Sequence, residues 1–213
     1  MNANYFCQSE KTLFNTPGSY ETCVYPEVPE VITGNQPPTR NTNQSPKKIP
    51  YSLKPIYGTI TNASVSYYKN QPECIAYYEL TVATSDQQVV HFILNSDTYF
   101  VDCFLQLQGI NVVGFYDEFA PMPYIYPPQY QIKVFALDLP SRFVKADFFD
   151  CYLVSSDNEL QLIISNNTYI VNEAGHSYCG NISNKYMVVL YSNVTNNVTN
   201  TNTTTPNVII VLD

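Results

Sequence analysis

Six cysteines, at positions 7, 23, 74, 103, 151 and 179, and two histidines, at 91 and 176, are the residues of this 213-residue chain best suited to metal binding or nucleophilic attack. No two cysteines stand in the C-x-x-C spacing of zinc or redox sites, and two histidines are too few to complete a ligand set. Neither a metal nor a cofactor is expected. A Cys–His pair needs a base within reach and a third group to orient it. Only His176 and Cys179, in the stretch EAGHSYCG, have such a spacing, and the same residues make an ordinary polar turn. His91 alternates with Val90 and Phe92, which puts it on the solvent side of a strand. Asp117 and Glu118 form a carboxylate pair in a turn, without flanking signs of a sugar-binding cleft. There is no phosphate loop, dinucleotide fingerprint or serine elbow. The chain is read as non-enzymatic.

The cysteines suit a different chemistry. Cys74 alternates with apolar residues and reads as a small buried hydrophobe. Cys7 and Cys23 lie in a Pro-rich leading segment with no core to bury them, and exposed thiols that meet oxygen form disulfides. Cys7, Cys23, Cys103, Cys151 and Cys179 are the candidates for bridges between subunits.

Nineteen tyrosines, eleven phenylalanines and no tryptophan make the chain aromatic in an unusual proportion. Tyr124, Tyr126 and Tyr130 crowd into residues 117–130 beside prolines 121, 123, 127 and 128. The prolines stiffen this loop, and each tyrosine offers a flat face with a hydroxyl at its tip. Two readings follow: a surface for a glycan, peptide or small molecule, or a loop that folds back to plug the end of a barrel. The plug is the preferred one. Residues 114–117 read GFYD and residues 120–130 read APMPYIYPPQY. These motifs resemble an uncharacterised β-domain family of spore-forming anaerobic bacteria, over roughly residues 57–138. The resemblance implies a β fold and a source and brings no catalytic residue.

The elements that must position these residues are strands. Residues 1–55 hold eight of the fifteen prolines and keep neither strand nor helix periodicity, so they read as an extended arm. From Tyr57 the pattern alternates: Thr61, Ala63, Val65, Tyr67; then Cys74, Ala76, Tyr78, Leu80, Val82; then Val90, Phe92, Leu94; then Ile110, Val112, Tyr116; then Ile132, Val134, Ala136. Such period-2 runs are half-buried strands. Phe100, Cys103, Phe104 and Leu107 are spaced for one or two helical turns between the third and fourth runs. Three strands, a short helix and two strands is the order of an OB-type barrel, with a Greek-key sandwich as the other solution.

The chain also repeats itself. NSDTYFVD at 95–102 aligns with SNNTYIVN at 165–172 at an offset of 70. After a five-residue insertion the offset is 75, matching residues 112–116 to 187–191 and 134–138 to 209–213. The expected fold is therefore all-β: two tandem duplicated OB-like barrels or sandwich units behind the arm. The divisions are 1–55 (arm), 56–138 (first copy) and 139–213 (second copy, incomplete). The first strand, 57–67, finds no counterpart in the second copy. Either 131–138 serves both sheets, or the second copy has an open edge that an arm from a neighbour fills by strand addition. The interval 193–206, rich in Asn and Thr, replaces the aromatic loop with an uncharged, hydrated one. Its sequons, with those at Asn62, Asn166 and Asn181, read as accidents of composition rather than glycosylation sites.

Net charge is −8, which argues against nucleic acid, since phosphate-binding surfaces cluster Lys and Arg. No apolar run approaches the ~20 residues of a membrane span, and the leading residues lack a secretion signal. These features predict a non-enzymatic structural subunit of a self-assembling surface structure (spore coat, appendage or filament), a homo-oligomer or homopolymer joined by arm strands and disulfides. It would sit at a cell or spore surface without a signal peptide, or otherwise in the cytoplasm. The alternative is a two-barrel binding module using Tyr124, Tyr126 and Tyr130.

Overall fold

The computed structural model describes residues 52–69, 71–103, 108–192 and 201–212, with the backbone alone for 71–73. Residues 1–51 of the arm, with Cys7 and Cys23, lie outside the described residues, as do Phe104 and Leu107 of the expected helix; Leu53–Pro55, expected in the arm, instead begin the first strand, paired with residues 115–117. The described residues are all-β. Phe100 belongs to a strand rather than a helix, because its neighbour Val101 donates its N–H to the carbonyl of Phe135, as a strand partner would.

Two groups of strands follow each other. The first contains β1 (Leu53–Tyr68), β2 (Gln71–Thr84), β3 (Val89–Leu94), β4 (Tyr99–Phe100), β5 (Asn111–Asp117) and β6 (Gln129–Leu137). The second contains β7 (Phe143–Phe149), β8 (Leu160–Leu162), β9 (Tyr169–Asn172), β10 (Lys185–Tyr191), β11 (Asn202–Thr204) and β12 (Val208–Leu212). In the first group the pairings run β1–β2–β3–β6–β5 and return to β1. All are antiparallel except β3 with β6, where His91 faces Gln129. β1 belongs to both sides of this ring: its first half pairs with β5 and its second half with β2. At the crossing, a Cβ on Gly58 would lie 2.5 Å from the carbonyl oxygen of Ala83, so no larger residue fits without a shift. Past Ile60 the β1–β2 hairpin leaves the core. Residues 61–65 are exposed on both faces although their sequence alternates, because no described apolar cluster lies against either side.

The second group repeats much of this pairing. β7 runs antiparallel to β10 as β1 does to β5, and β10 to β12 as β5 does to β6. β9 is parallel to β12 as β4 is to β6, and β8 is parallel to β11 as β3 is to the start of β6. The expectation that the second half lacks a first strand is therefore corrected: β7 stands there, supplied by the same chain. The strand without a full counterpart is β2. Its place is held by Val154 and Ser155, which make single bridges to Gln161 and Phe149. Nor is 193–206 simply a hydrated loop: Asn202–Thr204 form β11 and Thr204 is buried, while 193–200 lie outside the described residues.

The matched blocks at 95–102 and 165–172 build the same turn. The N–H of Asn95 and of Ser165 each donates to the hydroxyl of the threonine three residues on, Thr98 and Thr168. Those buried hydroxyls then donate across the structure, to the carbonyls of Ile132 and Pro206. A buried hydroxyl without such a partner would cost about 1–3 kcal/mol, which gives the threonine its place in both blocks.

Three apolar clusters result. One fills the first ring around Leu80, Phe92, Leu94 and Phe135. Another fills the second group around Phe149, Leu160, Met187 and Ile209. The third lies between them, with Leu53, Val113, Phe115 and Val134 against Val144, Ala146, Val188 and Ile210. Strands β5, β10 and β12, and β6 from Val134 to Ala136, are thus buried on both faces, which is why their central residues do not alternate with polar ones.

Gly114 lies where β5 crosses the first cluster. A Cβ there would come within 2.7 Å of the Phe92 ring and 2.9 Å of Ile132 Cδ1. Gly114→Ala is expected to destabilise the fold by about 1–3 kcal/mol through overpacking. The shift in urea midpoint measures it, and an unchanged midpoint would contradict this packing.

Candidate functional site

The GFYD stretch ends β5 and launches the aromatic loop. Gly114 makes room for Phe92, and Phe115 turns the other way into the cluster between the two strand groups. Tyr116 turns back toward the first ring and packs on Tyr130 with ring centroids 4.6 Å apart. Burial, then the neighbouring Tyr130 and Glu118, push its phenol pKa up. Asp117 closes the junction. Its Oδ1 accepts the N–H of Phe119 at 3.1 Å and the N–H of Ser52 at 3.1 Å, while Glu118 donates its N–H to the Ser52 carbonyl at 2.9 Å. One carboxylate therefore pins both the loop and the point where residues 1–51 join the sheet.

From there the loop runs over the surface. His91 at its far end donates its N–H to the carbonyl of Pro128 at 2.9 Å, and Ile125 donates to Pro123 at 3.0 Å. Between these ties the apolar side chains face solvent. Tyr124 is 107% exposed and Tyr126 90%, and Phe119, Met122 and Ile125 are each at least half exposed. The three tyrosines singled out from the sequence thus divide. Tyr130 packs against the first cluster and closes one end of the ring; Tyr124 and Tyr126 stand clear of it. The expected plug is corrected to that extent: the loop crest, with Tyr124 and Tyr126, stands exposed to solvent. Gln88, Val89, Tyr124, Ile125, Tyr126 and Pro128 line an open groove of about 490 Å³ between loop and β3. With two aromatic faces, three aliphatic walls and one amide, it can bind by stacking and burial.

The other sequence candidates are dispersed. Cys151 is a free, exposed thiol. Cys74 is also free and exposed, against the expectation of burial, because it lies on the hairpin arm that has left the core. Cys103 and Cys179 are exposed and are not free thiols. His176 is exposed in a turn where its N–H donates to Asn172 Oδ1 at 2.9 Å. His91 pairs through Nδ1 with the Glu79 carboxylate on the neighbouring strand. Among the described residues no group of three or more His, Cys, Asp or Glu is arranged to hold a metal ion, and no helix is long and apolar enough to cross a membrane.

A second polar cluster was not anticipated. Lys145 and Asp147 occupy the face of β7 turned toward the interior of the second group. Lys145 Nζ pairs with Asp157, lies 3.3 Å from Glu159 and 4.0 Å from Asp147. Ser156 donates to Asp147, and Ser155 to Asp157, at 2.6 Å each. Burial alone would lower the Lys145 pKa, but Asp157, helped by Asp147 and Glu159, raises it overall. Burial raises that of Asp147, and the Asp157 charge adds to it. Burial also works against ionised Asp157, yet hydrogen bonds from Lys145 and Ser155 hold its pKa below the usual carboxylate range. The sequence signal was VKADFF: charges at i and i+2 on one face of a strand whose other face is apolar. Where the first ring has β2 beside β1, the second group has these ion pairs beside β7. The cluster is satisfied within itself, which marks it as structural.

No described protein family, curated protein or solved structure matches the chain.

Two outcomes follow from this geometry. Tyr130→Ala is expected to lower stability by about 1–3 kcal/mol, and Tyr126→Ala to leave it within about 0.5 kcal/mol, both read by urea denaturation. The contribution of Asp157 is present above the ordinary carboxylate pKa, about 3.9, and is lost as pH falls through its depressed value. Lys145→Met removes its partner, so the variant should be less stable than the parent by roughly 1–3 kcal/mol near neutrality. The gap should shrink as pH drops below about 4. A gap independent of pH would contradict the pairing.

Proposed function

We propose that this chain is a non-enzymatic structural subunit of a self-assembling surface structure, joined to its neighbours through the root of the arm and the aromatic loop. The observation that carries this reading is the five exposed apolar side chains of residues 119–126, on a proline-stiffened loop tied to the point where the arm leaves the sheet. Contiguous apolar surface of this kind on a single chain marks a contact site. Arm root and apolar surface differ from each other, so a contact between them is heterologous and builds filaments when it does not close.

Strand addition remains part of the proposal, at a revised place. β7 has β10 on one side, and on the other, among the described residues, only the bridge at Ser155. That edge is the one an incoming strand would extend. The pairing order of the first group, with its parallel β3–β6 step, supports an OB-like barrel. The matching order in the second supports a tandem duplication. That Cys151 is exposed and free supports a bridge between subunits, with Cys7 and Cys23 of the arm as its candidate partners; Cys103 and Cys179, which are not free thiols, drop out of that role. The surface setting, spore or cell, rests on the resemblance carried by GFYD and APMPYIYPPQY.

The alternative, a binding module for a glycan, peptide or small molecule, is favoured by one observation: Tyr124 and Tyr126 flank a groove. Sedimentation of the purified chain separates the two. The assembly reading expects large species at micromolar protein that shrink to monomers when residues 2–50 are deleted, since all three clusters are built from later residues. A monomer at every concentration, with or without reductant, would leave the binding module in its place.

A further inference from the structure

We propose that the groove between β3 and the aromatic loop takes residues 25–29, Tyr-Pro-Glu-Val-Pro, from the arm of a second copy of this chain. This rests on the assembly reading and names its contact. The groove is lined by Tyr124, Tyr126, Ile125, Val89 and Pro128, with Gln88 as its amide donor and acceptor. Such grooves suit polyproline II segments. A proline spaced three from another presents the same face each turn, its fixed φ leaves little entropy to lose, and its ring stacks on a tyrosine. Pro26 and Pro29 have that spacing, and Val28 with Tyr25 supplies apolar flanks.

The second observation is where the arm starts. Ser52 is tied to Asp117 and Glu118 at the foot of the same loop that walls the groove, so the 51 residues that precede it (1–51) are joined to the fold at the root of that loop. The segment 30–51 separates Pro29 from Ser52, a span of up to about 75 Å when extended. That reaches a neighbouring subunit. The groove itself is set before any partner arrives, because the Pro128 carbonyl is held by His91 and the prolines fix the crest.

The test uses full-length chains. A labelled peptide of residues 21–33 is titrated by fluorescence anisotropy onto the chain carrying Pro26→Ala and Pro29→Ala, whose own arm no longer competes. Saturable binding is expected, weakened at least tenfold by Tyr124→Ala with Tyr126→Ala in the receptor, or by the two proline changes in the peptide. Light scattering then compares assemblies. The arm variant and the loop variant should each be monomeric alone, and their equimolar mixture should give dimers, since one intact arm and one intact groove remain. A peptide that does not bind, while the wild-type chain assembles, overturns the groove as the contact and leaves assembly standing. A peptide that binds, while the wild-type chain is monomeric, overturns the second copy as donor along with the assembly reading. A mixture that stays monomeric although the peptide binds and the wild type assembles also overturns the second copy as donor.

Discussion

The apolar layer between the two strand groups is the constraint on which the rest depends. It forces β5, β10 and β12, and β6 from Val134 to Ala136, to be buried on both faces, so each must carry apolar residues there without alternation. Burying a Val, Ile or Phe is worth about 1.5–3 kcal/mol. Exposing even half of this layer would therefore cost about as much as an ordinary domain's net stability, roughly 5–15 kcal/mol. The two groups do not separate without unfolding. Their outer faces, and the loops at their ends, are consequently presented in one fixed arrangement.

Within that arrangement the halves solve the same problem differently. The first closes its ring with a long β2 whose hairpin with β1 runs on past the core. The second has only Val154 and Ser155 there, and answers with Lys145 among Asp147, Asp157 and Glu159. A charge on the inner face of an edge strand is also one of the ways proteins discourage unplanned pairing. Among the described residues the edge of β7 beyond its bridge at Ser155 is thus unpaired in its backbone and guarded by its side chains.

The all-β class was legible in the sequence because alternation survives wherever one face meets a cluster, as in Val90, Phe92 and Leu94. The likeness of the blocks 95–102 and 165–172 was legible because Thr98 and Thr168 must each bury a hydroxyl against a distant carbonyl, which fixes the residues around them. Alternation misled at 61–65, where a pattern with no described apolar cluster against it gives a hairpin exposed on both faces. A strand was legible at 143–154, of which β7 takes Phe143–Phe149, but not that the two charges of VKADFF are satisfied by partners further along the chain. The helix spacing around Phe100 lost to the parallel pairing of β4 with β6. Of the site, the loop was legible from composition. The split between Tyr130, packed inward, and Tyr124 and Tyr126, facing out, was not, because it depends on where Tyr116 sits across the strand gap.

The tie between Ser52 and Asp117 makes the loop more than a sticky surface. A loop bound only at its ends by β5 and β6 would report nothing to the arm. Here the Asp117 carboxylate holds the Phe119 N–H and the Ser52 N–H together, so the loop foot and the arm root share one oxygen. Tension on an arm engaged elsewhere is delivered to the start of the loop and, through β5, to the layer that joins the halves. In the proposed assembly a subunit would pass load from one neighbour to the next through the arm root and the loop, and here a single side chain and one doubly buried strand join those two places.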